Sequence, residues 1–274
     1  MKKNKRRKKR SKKLVKFFVI LILLFSGIIS FCLFTPFFNL TEVIVTGAEQ
    51  ISEEQIIATS NLIYGENIFK INKTEIAKSI KGFPEIESVK ISRKPFSKIQ
   101  ISVTETYPHY IFKSTDGYVV TNENAKVMRI LESTEGVELP LILGIEAENA
   151  KISEKMSVQD TIKFDIIVEN LNLLMEKGII NELSAIDFTD LSSTEGYLKG
   201  GAKVIFGKLT DLDYKLSVLL AVLPQIDASP GAYIDLTTPS NAFYGREEET
   251  AQAESTETED SQGETSEETQ NSDA

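Results

Sequence analysis

LTEVIVTG, residues 40–47, alternates β-branched with polar side chains and closes on a glycine, so it reads as a strand running into a turn. A helix follows. Ser52 can cap its first turn while Gln55 reaches back, with Ile51 and Ile56 flanking this capping box as a hydrophobic staple. Ile56, Ile57 and Leu62 supply a buried side. The same device recurs at Asn72 and Glu75, bracketed by Ile71 and Ile76, and opens a second short helix through Ile80 that Gly82 and Pro84 end. Between the helices, Gly65 permits a turn and Ile68 and Phe69 can plug a core. IESVKISR (86–93) and KIQISVT (98–104) then alternate around Lys94-Pro95-Phe96-Ser97, the pattern of a β-hairpin. The order β-α-α-β-β predicts a small α+β module over residues 38–107.

Several stretches match one known module when taken together and in order. They are LTEVIVTG (40–47), GENIF (65–69), FPEIESV (83–89), RKP (93–95) and VTETYP (103–108). This set resembles the FtsQ-type POTRA domain. Read one residue at a time, the same positions are folding devices: Gly47 and Gly65 give backbone freedom, Pro84 and Pro95 act as stops, and Val89 and Ile91 fill the core. Glu105 is a carboxylate at a strand end, for which a solvated face or a local partner in Arg93 or Lys94 is the expectation.

Upstream of the module, every charged side chain before Phe17 is Lys or Arg, and no charged side chain appears from Phe17 to Thr41. About 20 apolar residues at 1.5 Å rise cross a hydrocarbon core of roughly 30 Å. Residues 17–37 therefore read as a transmembrane helix and residues 1–16 as a basic cytoplasmic segment, placed inside by the positive-inside rule. A cleaved signal peptide would have a shorter apolar core and an A-x-A-like site, which this run lacks. A lipoprotein signal at Cys32 would want a small residue before it, where Phe31 stands. A basic run can also mark nucleic-acid binding, but one abutting a membrane span sets topology and touches anionic lipid.

Downstream, residues 108–244 carry more short strands than helices. Residues 110–113 and 118–121 flank the hairpin turn Ser114-Thr115-Asp116-Gly117, and 126–131 and 140–145 continue the β pattern. A helix is expected over 158–177, capped by Ser157 and ended by Gly178, with Ile162, Ile166 and Leu173 offered to the core. Strands at 185–188, 197–199 and 203–206, a helix at 209–223 and a strand at 232–236 complete the segment, with Gly200-Gly201 turning between two of the strands. The strand order and the loop-rich stretch 132–157 stay open. VIFG (204–207), Lys215-Leu216 and YIDL (233–236) are similar to the β domain of the DivIB/FtsQ cell division family, and the likeness extends over residues 1–244. Residues 245–274 are dominated by Glu, Thr, Ser, Gln, Asp and Ala. Such a tail buries too little apolar surface to offset the entropy of ordering and is expected to be disordered.

The single histidine, His109, and the single cysteine, Cys32, rule out two-His and Cys/His metal motifs. No Gly-x-Ser-x-Gly elbow and no Ser-x-x-Lys of the penicillin-binding type occurs, and Gly207-Lys208-Leu209 is not a phosphate loop. Paired carboxylates for glycoside cleavage stay open in so acidic a chain, whose formal net charge is -9.

The family resemblance implies a non-catalytic scaffold of the division machinery, without a cofactor and without nucleic acid. Its partners would be FtsL and DivIC (FtsB) type proteins, and through them the septal peptidoglycan synthases. It would sit in the cell membrane at the septum. The resemblance also implies that an edge near the C-terminus accepts a partner strand, matching Tyr233, Ile234, Asp235 and Leu236 here. Alternation would turn Ile234 and Leu236 to the core and leave Tyr233 as anchor. The alternative is a POTRA-bearing secretion or chaperone factor that receives unfolded polypeptide; such proteins usually carry a membrane barrel, and no barrel follows in this chain.

Overall fold

The computed structural model describes residues 3–246, with side chains described from Leu14 onward. Of the tail expected to be disordered, 245–274, residues 247–274 lie outside the described residues, as do the side chains of residues 1–13 of the basic segment. The chain divides into two compact units, residues 1–106 and 107–274.

The first unit opens with helix α1, Lys3–Phe34. Its stretch Leu14–Phe34 spans 21 residues and is long and apolar enough to cross a membrane. The helix stops three residues before the expected limit at 37. Pro36 forces Thr35 out of the helical region to ψ 136°, and a single 3-10 turn, Pro36–Phe38, follows. The rest of the unit is β1 (Glu42–Thr46), α2 (Glu53–Thr59), α3 (Lys73–Ile80), β2 (Ile86–Lys94) and β3 (Lys98–Glu105). The sheet order is β1-β3-β2, with β1 parallel to β3 and β2 antiparallel to it. Both helix starts are built as the local sequence dictates. Ser52 and Gln55 form the full capping box, and the Asn72 side chain accepts from Thr74 and Glu75 N–H. Ile56, Ile80, Ile86, Ile99 and Ile101 are fully buried between helices and sheet. Each such side chain is worth about 1.5–3 kcal/mol of hydrophobic stabilisation.

The second unit contains β4 (Tyr110–Ser114), β5 (Gly117–Thr121), β6 (Val127–Leu131), β7 (Leu141–Ala147), α4 (Thr161–Glu176), β8 (Leu183–Asp187), β9 (Thr194–Leu198), β10 (Lys203–Gly207), α5 (Leu212–Val222), β11 (Ala232–Asp235) and β12 (Phe243–Arg246). They make one nine-stranded sheet in the order β12-β11-β10-β9-β8-β7-β4-β5-β6. The pairs β4·β7, β7·β8 and β10·β11 are parallel and the others antiparallel. Phe164, Ile167, Leu171 and Leu174 of α4 and Leu212, Leu216 and Leu219 of α5 join Phe112, Ile142, Ile186, Val204 and Ile234 of the sheet in a single core.

Two local expectations are corrected. Helix α4 starts at Thr161 with Asp160 as its cap, Oδ1 accepting from Lys163 N at 2.9 Å. Ser157 is unavailable because its carbonyl accepts from Glu148 N at 2.8 Å in a strand-like bridge. The buried face then runs 164, 167, 171 and 174, which leaves Ile162 and Ile166 exposed and Leu173 only partly buried. The second difference is at the chain end, where β12 continues through Gly245 and Arg246, positions the sequence reading assigns to the unstructured tail.

Candidate partner-binding surface

Strand β11 follows β10 through the crossover helix α5, so its inward residues Ala232, Ile234 and the following Leu236 are buried against that helix's side of the sheet. Tyr233 and Asp235 are half-buried on the opposite face. The alternation foreseen for YIDL therefore exists, but the strand is not an edge. It is hydrogen-bonded to β10 on one side and to β12 on the other. Among the described residues the terminal strand at this end of the sheet is β12, which the sequence reading missed. Its four residues, FYGR, are too short for a periodic pattern and run straight into the acidic tail.

Register across β9, β10, β11 and β12 lines up two rows on the face away from the helices. One row is Tyr197, Lys203, Tyr233 and Gly245; the other is Glu195, Ile205, Asp235 and Phe243. Lys203 Nζ pairs with Glu195 at 2.7 Å, and Tyr197 donates its hydroxyl to the same carboxylate at 3.2 Å. Burial, and then the Glu195 charge, push the Tyr197 phenol above its ordinary pKa, so it stays a neutral donor. Beside this polar cluster the rings of Tyr233 and Phe243 lie 5.9 Å apart at 42°. Gly245 sits under both: a Cβ there would come within 2.8 Å of Phe243 Cε1 and 3.0 Å of Tyr233 Cζ. The glycine thus lets the two aromatic rings close into one patch. Phe243 is 57% exposed.

β12 is held by more than its ladder. Tyr244 donates its hydroxyl to Asp227 O at 3.0 Å, and Arg246 donates to Asp227 Oδ2 at 2.6 Å and Ser229 Oγ at 2.9 Å. Asp227 and Ser229 lie in the loop that leads from α5 into β11, so one loop anchors both ends of the terminal hairpin. No local signal in the sequence marks Asp227 for this role.

Elsewhere in the second unit, a polar cavity of about 620 Å³ opens where β7 breaks its pairing with β4, lined among others by Lys113, Glu146, Lys163, Asp187 and Thr189. Its cations are engaged: Lys113 pairs with Glu146 at 3.1 Å and Lys163 donates to Thr189 O at 3.0 Å. His109 lies just before β4, 3.4 Å from Glu123. Among the described residues no group of three or more His, Cys, Asp or Glu side chains is placed to hold a metal ion.

Glu105, in the first unit, finds neither Arg93 nor Lys94. Its carboxylate accepts from Gln50 N at 2.8 Å and Ile51 N at 3.2 Å, fastening the end of β3 to the entrance of α2. Arg93 instead donates to Ile68 O at 2.6 Å and Ile71 O at 3.1 Å. Burial alone would raise the Glu105 pKa, but the N–H groups of Gln50, Glu49 and Ile51 outweigh it and hold the carboxyl below its ordinary value of 4.5. A carboxylate with a depressed folded pKa contributes stability that is fully present above 4.5 and lost as pH falls through the folded value. Glu105→Gln should destabilise the first unit by about 1–2 kcal/mol at neutral pH. In urea unfolding, the gap between the variant and the natural protein should narrow as pH falls into that acid window.

Comparison with known proteins adds the family context. The profile described as POTRA domain, FtsQ-type, matches residues 38–106, and that described as cell division protein FtsQ/DivIB, C-terminal, matches 110–237. The chain is 25% identical over 223 residues to the cell division protein DivIB of Clostridium tetani, covering 80% of this chain and 84% of that one. It is 25% identical over 229 residues to the DivIB of Clostridium botulinum strain Hall, covering 82% and 89%. A more distant match, 25% over 168 residues and covering 55% and 75%, is the cell division protein FtsQ of Corynebacterium glutamicum.

Proposed function

The chain belongs to the FtsQ/DivIB family of cell division proteins, and from that premise we propose that it is a non-catalytic, single-pass scaffold of the bacterial divisome. α1 is the anchor. The basic segment before it stays in the cytoplasm and both folded units stand outside the cell, by the charge asymmetry around the apolar run. The second unit binds FtsL and DivIC (FtsB) type partners at the septum, and through them supports septal peptidoglycan synthesis.

The observation that supports this reading is the terminal hairpin. A sheet that ends in a short strand offers main-chain groups to an added strand, and alternate side chains beside it supply selectivity. Here the side chains are the Tyr233 and Phe243 pair, flanked by the Lys203, Glu195 and Tyr197 cluster. Tyr233 through Leu236 contribute as the strand that carries β12 and as one half of the aromatic patch. Ile234 and Leu236 act from the core.

Binding of the purified protein to an FtsL/DivIC pair tests the assignment. Phe243→Ala and Tyr233→Ala should each weaken affinity by about 1–3 kcal/mol, with unfolding midpoints nearly unchanged for Phe243→Ala. Unaltered affinity in both variants would remove this hairpin from the interface.

A further inference from the structure

The junction between α1 and the rest of the first unit is held by ring contacts and hydrogen bonds. Phe31, in the last turns of α1, meets the Phe38 ring at 6.1 Å, and Phe38 meets Phe37 at 5.1 Å and Phe69 at 5.2 Å, all near edge-on. The buried side chain of Asn67 donates to Cys32 O at 2.8 Å, satisfying a carbonyl of the helix end that has no partner within the helix. Ser97 donates its hydroxyl to Phe37 O. Ile68 N donates to Phe38 O at 2.9 Å, Leu40 N to Glu66 O at 2.8 Å and Gly65 N to Leu40 O at 2.9 Å. The chain leaving the helix is therefore clamped between two turns, the one before Gly65 and the β2–β3 turn at 94–97.

Those two turns and the helix end carry large apolar side chains that stay mostly exposed. Phe96 is 80% exposed, Phe34 76%, Ile63 67%, Phe37 66% and Tyr64 56%. Phe96 stands out because its φ is +63°, a left-handed conformation in which a Cβ is sterically disfavoured. An aromatic residue in a strained turn that packs on almost nothing is not there for stability. Cations accompany these residues: Lys70 Nζ lies 5.3 Å above the Phe34 ring, and Lys94 is exposed next to the Phe96 turn.

We propose that this rim is a second membrane contact, in which the Phe96 turn and the Ile63-Tyr64 turn enter the interfacial layer of the bilayer on the side where α1 emerges. The inference rests on α1 crossing a membrane. Continuity names lipid as the occupant. Leu14–Phe34 spans 21 residues, which at 1.5 Å rise is about 30 Å of helix, the thickness of the hydrocarbon core. Phe34 then lies at its boundary, and the clamped turns are held beside it. Aromatic and aliphatic tips with Lys70 and Lys94 close by suit the boundary between acyl chains and anionic headgroups. The first unit is then seated on the membrane, in place of swinging from a tether.

The sequence contains no tryptophan, so single substitutions give clean fluorescent probes. The full chain, reconstituted in phosphatidylcholine vesicles containing phosphatidylglycerol, would carry Phe96→Trp, Phe25→Trp in mid-helix, or Ile162→Trp on the exposed side of α4. Acyl-brominated lipid should quench Phe25→Trp and Phe96→Trp, the latter most strongly when bromine lies near the headgroup, and leave Ile162→Trp bright. Phe96→Trp emission should also be blue-shifted relative to Ile162→Trp. An unquenched, water-like Phe96→Trp beside a quenched Phe25→Trp overturns the second contact and leaves the anchor standing. An unquenched Phe25→Trp overturns the anchor, and the second contact with it.

Discussion

Lys215→Met should lower the stability of the second unit by about 2–5 kcal/mol, because it removes the donor for two carbonyls while keeping an apolar stem of the same four-atom length. Lys215 is buried, and its Nζ donates to Phe206 O at 2.6 Å and Lys208 O at 2.7 Å. Those carbonyls lie at the end of β10, where the register with β9 shifts and the chain leaves the sheet for α5. Thermal unfolding followed by circular dichroism should show the loss as a midpoint lower by roughly 5–15 °C.

The pH dependence gives a second readout of the same variant. Burial pushes the Lys215 pKa down, against the opposing pull of the Asp211 and Asp235 charges, so it lies below the ordinary 10.5. Between the folded value and 10.5 the unfolded chain binds more protons, and stability rises with pH in that window. The neutral amine still has two N–H groups for the two carbonyls, so the hydrogen bonds survive its deprotonation. Lys215→Met should lose this alkaline slope. A variant with an unchanged midpoint and an unchanged slope would show that the two carbonyls find other partners.

Gly144→Ala is expected to be comparably damaging, at about 2–5 kcal/mol, through two effects that add. Gly144 has φ +89°, where any Cβ carries a steric cost of roughly 1–2 kcal/mol. An added Cβ would also stand 2.3 Å from Phe188 C and 2.3 Å from Thr189 N, which are backbone atoms and cannot rotate away. Overpacking of this kind costs about 1–3 kcal/mol. The position matters because β7 bends here: Ile142 still pairs with Phe112, but the next partner, Lys113, pairs with Glu146. The sheet turns this corner only if β7 can pass against the end of β8. Gly136→Ala is the control, since Gly136 shares a positive φ of +75° but nothing lies within 4 Å of its Cβ position. It should lose only the conformational part, and equal losses in urea unfolding of the two variants would refute the close-approach argument.

The errors in the sequence reading share a physical origin. Helix α4 is apolar around much of its circumference, with Ile162, Ile166, Ile167, Leu171, Leu173 and Leu174 all available, so periodicity could not say which side the sheet would cover. Ser157 is as good a cap by type as Asp160, and only its bridge to Glu148 disqualifies it. Arg93 and Lys94 lie at the turn end of the β2–β3 pair while Glu105 lies opposite Ile86 at its other end, so its carboxylate turns to the backbone of Gln50 and Ile51, some 55 residues earlier.

What the sequence by itself determined is whatever is decided within a few residues: the apolar run of α1, the caps at Ser52 and Asn72, the alternation of LTEVIVT and YIDL, and through these the α+β module and the family. Only the tertiary structure decided which strand closes the sheet. FYGR becomes a strand because β11 offers it a ladder and Asp227 offers it an anchor. It follows that YIDL, which the family resemblance implies to be an edge, is an interior strand. Strand pairing is a hydrogen-bonding contract between segments far apart in the chain, and neither partner's local sequence records whether the other side is already taken.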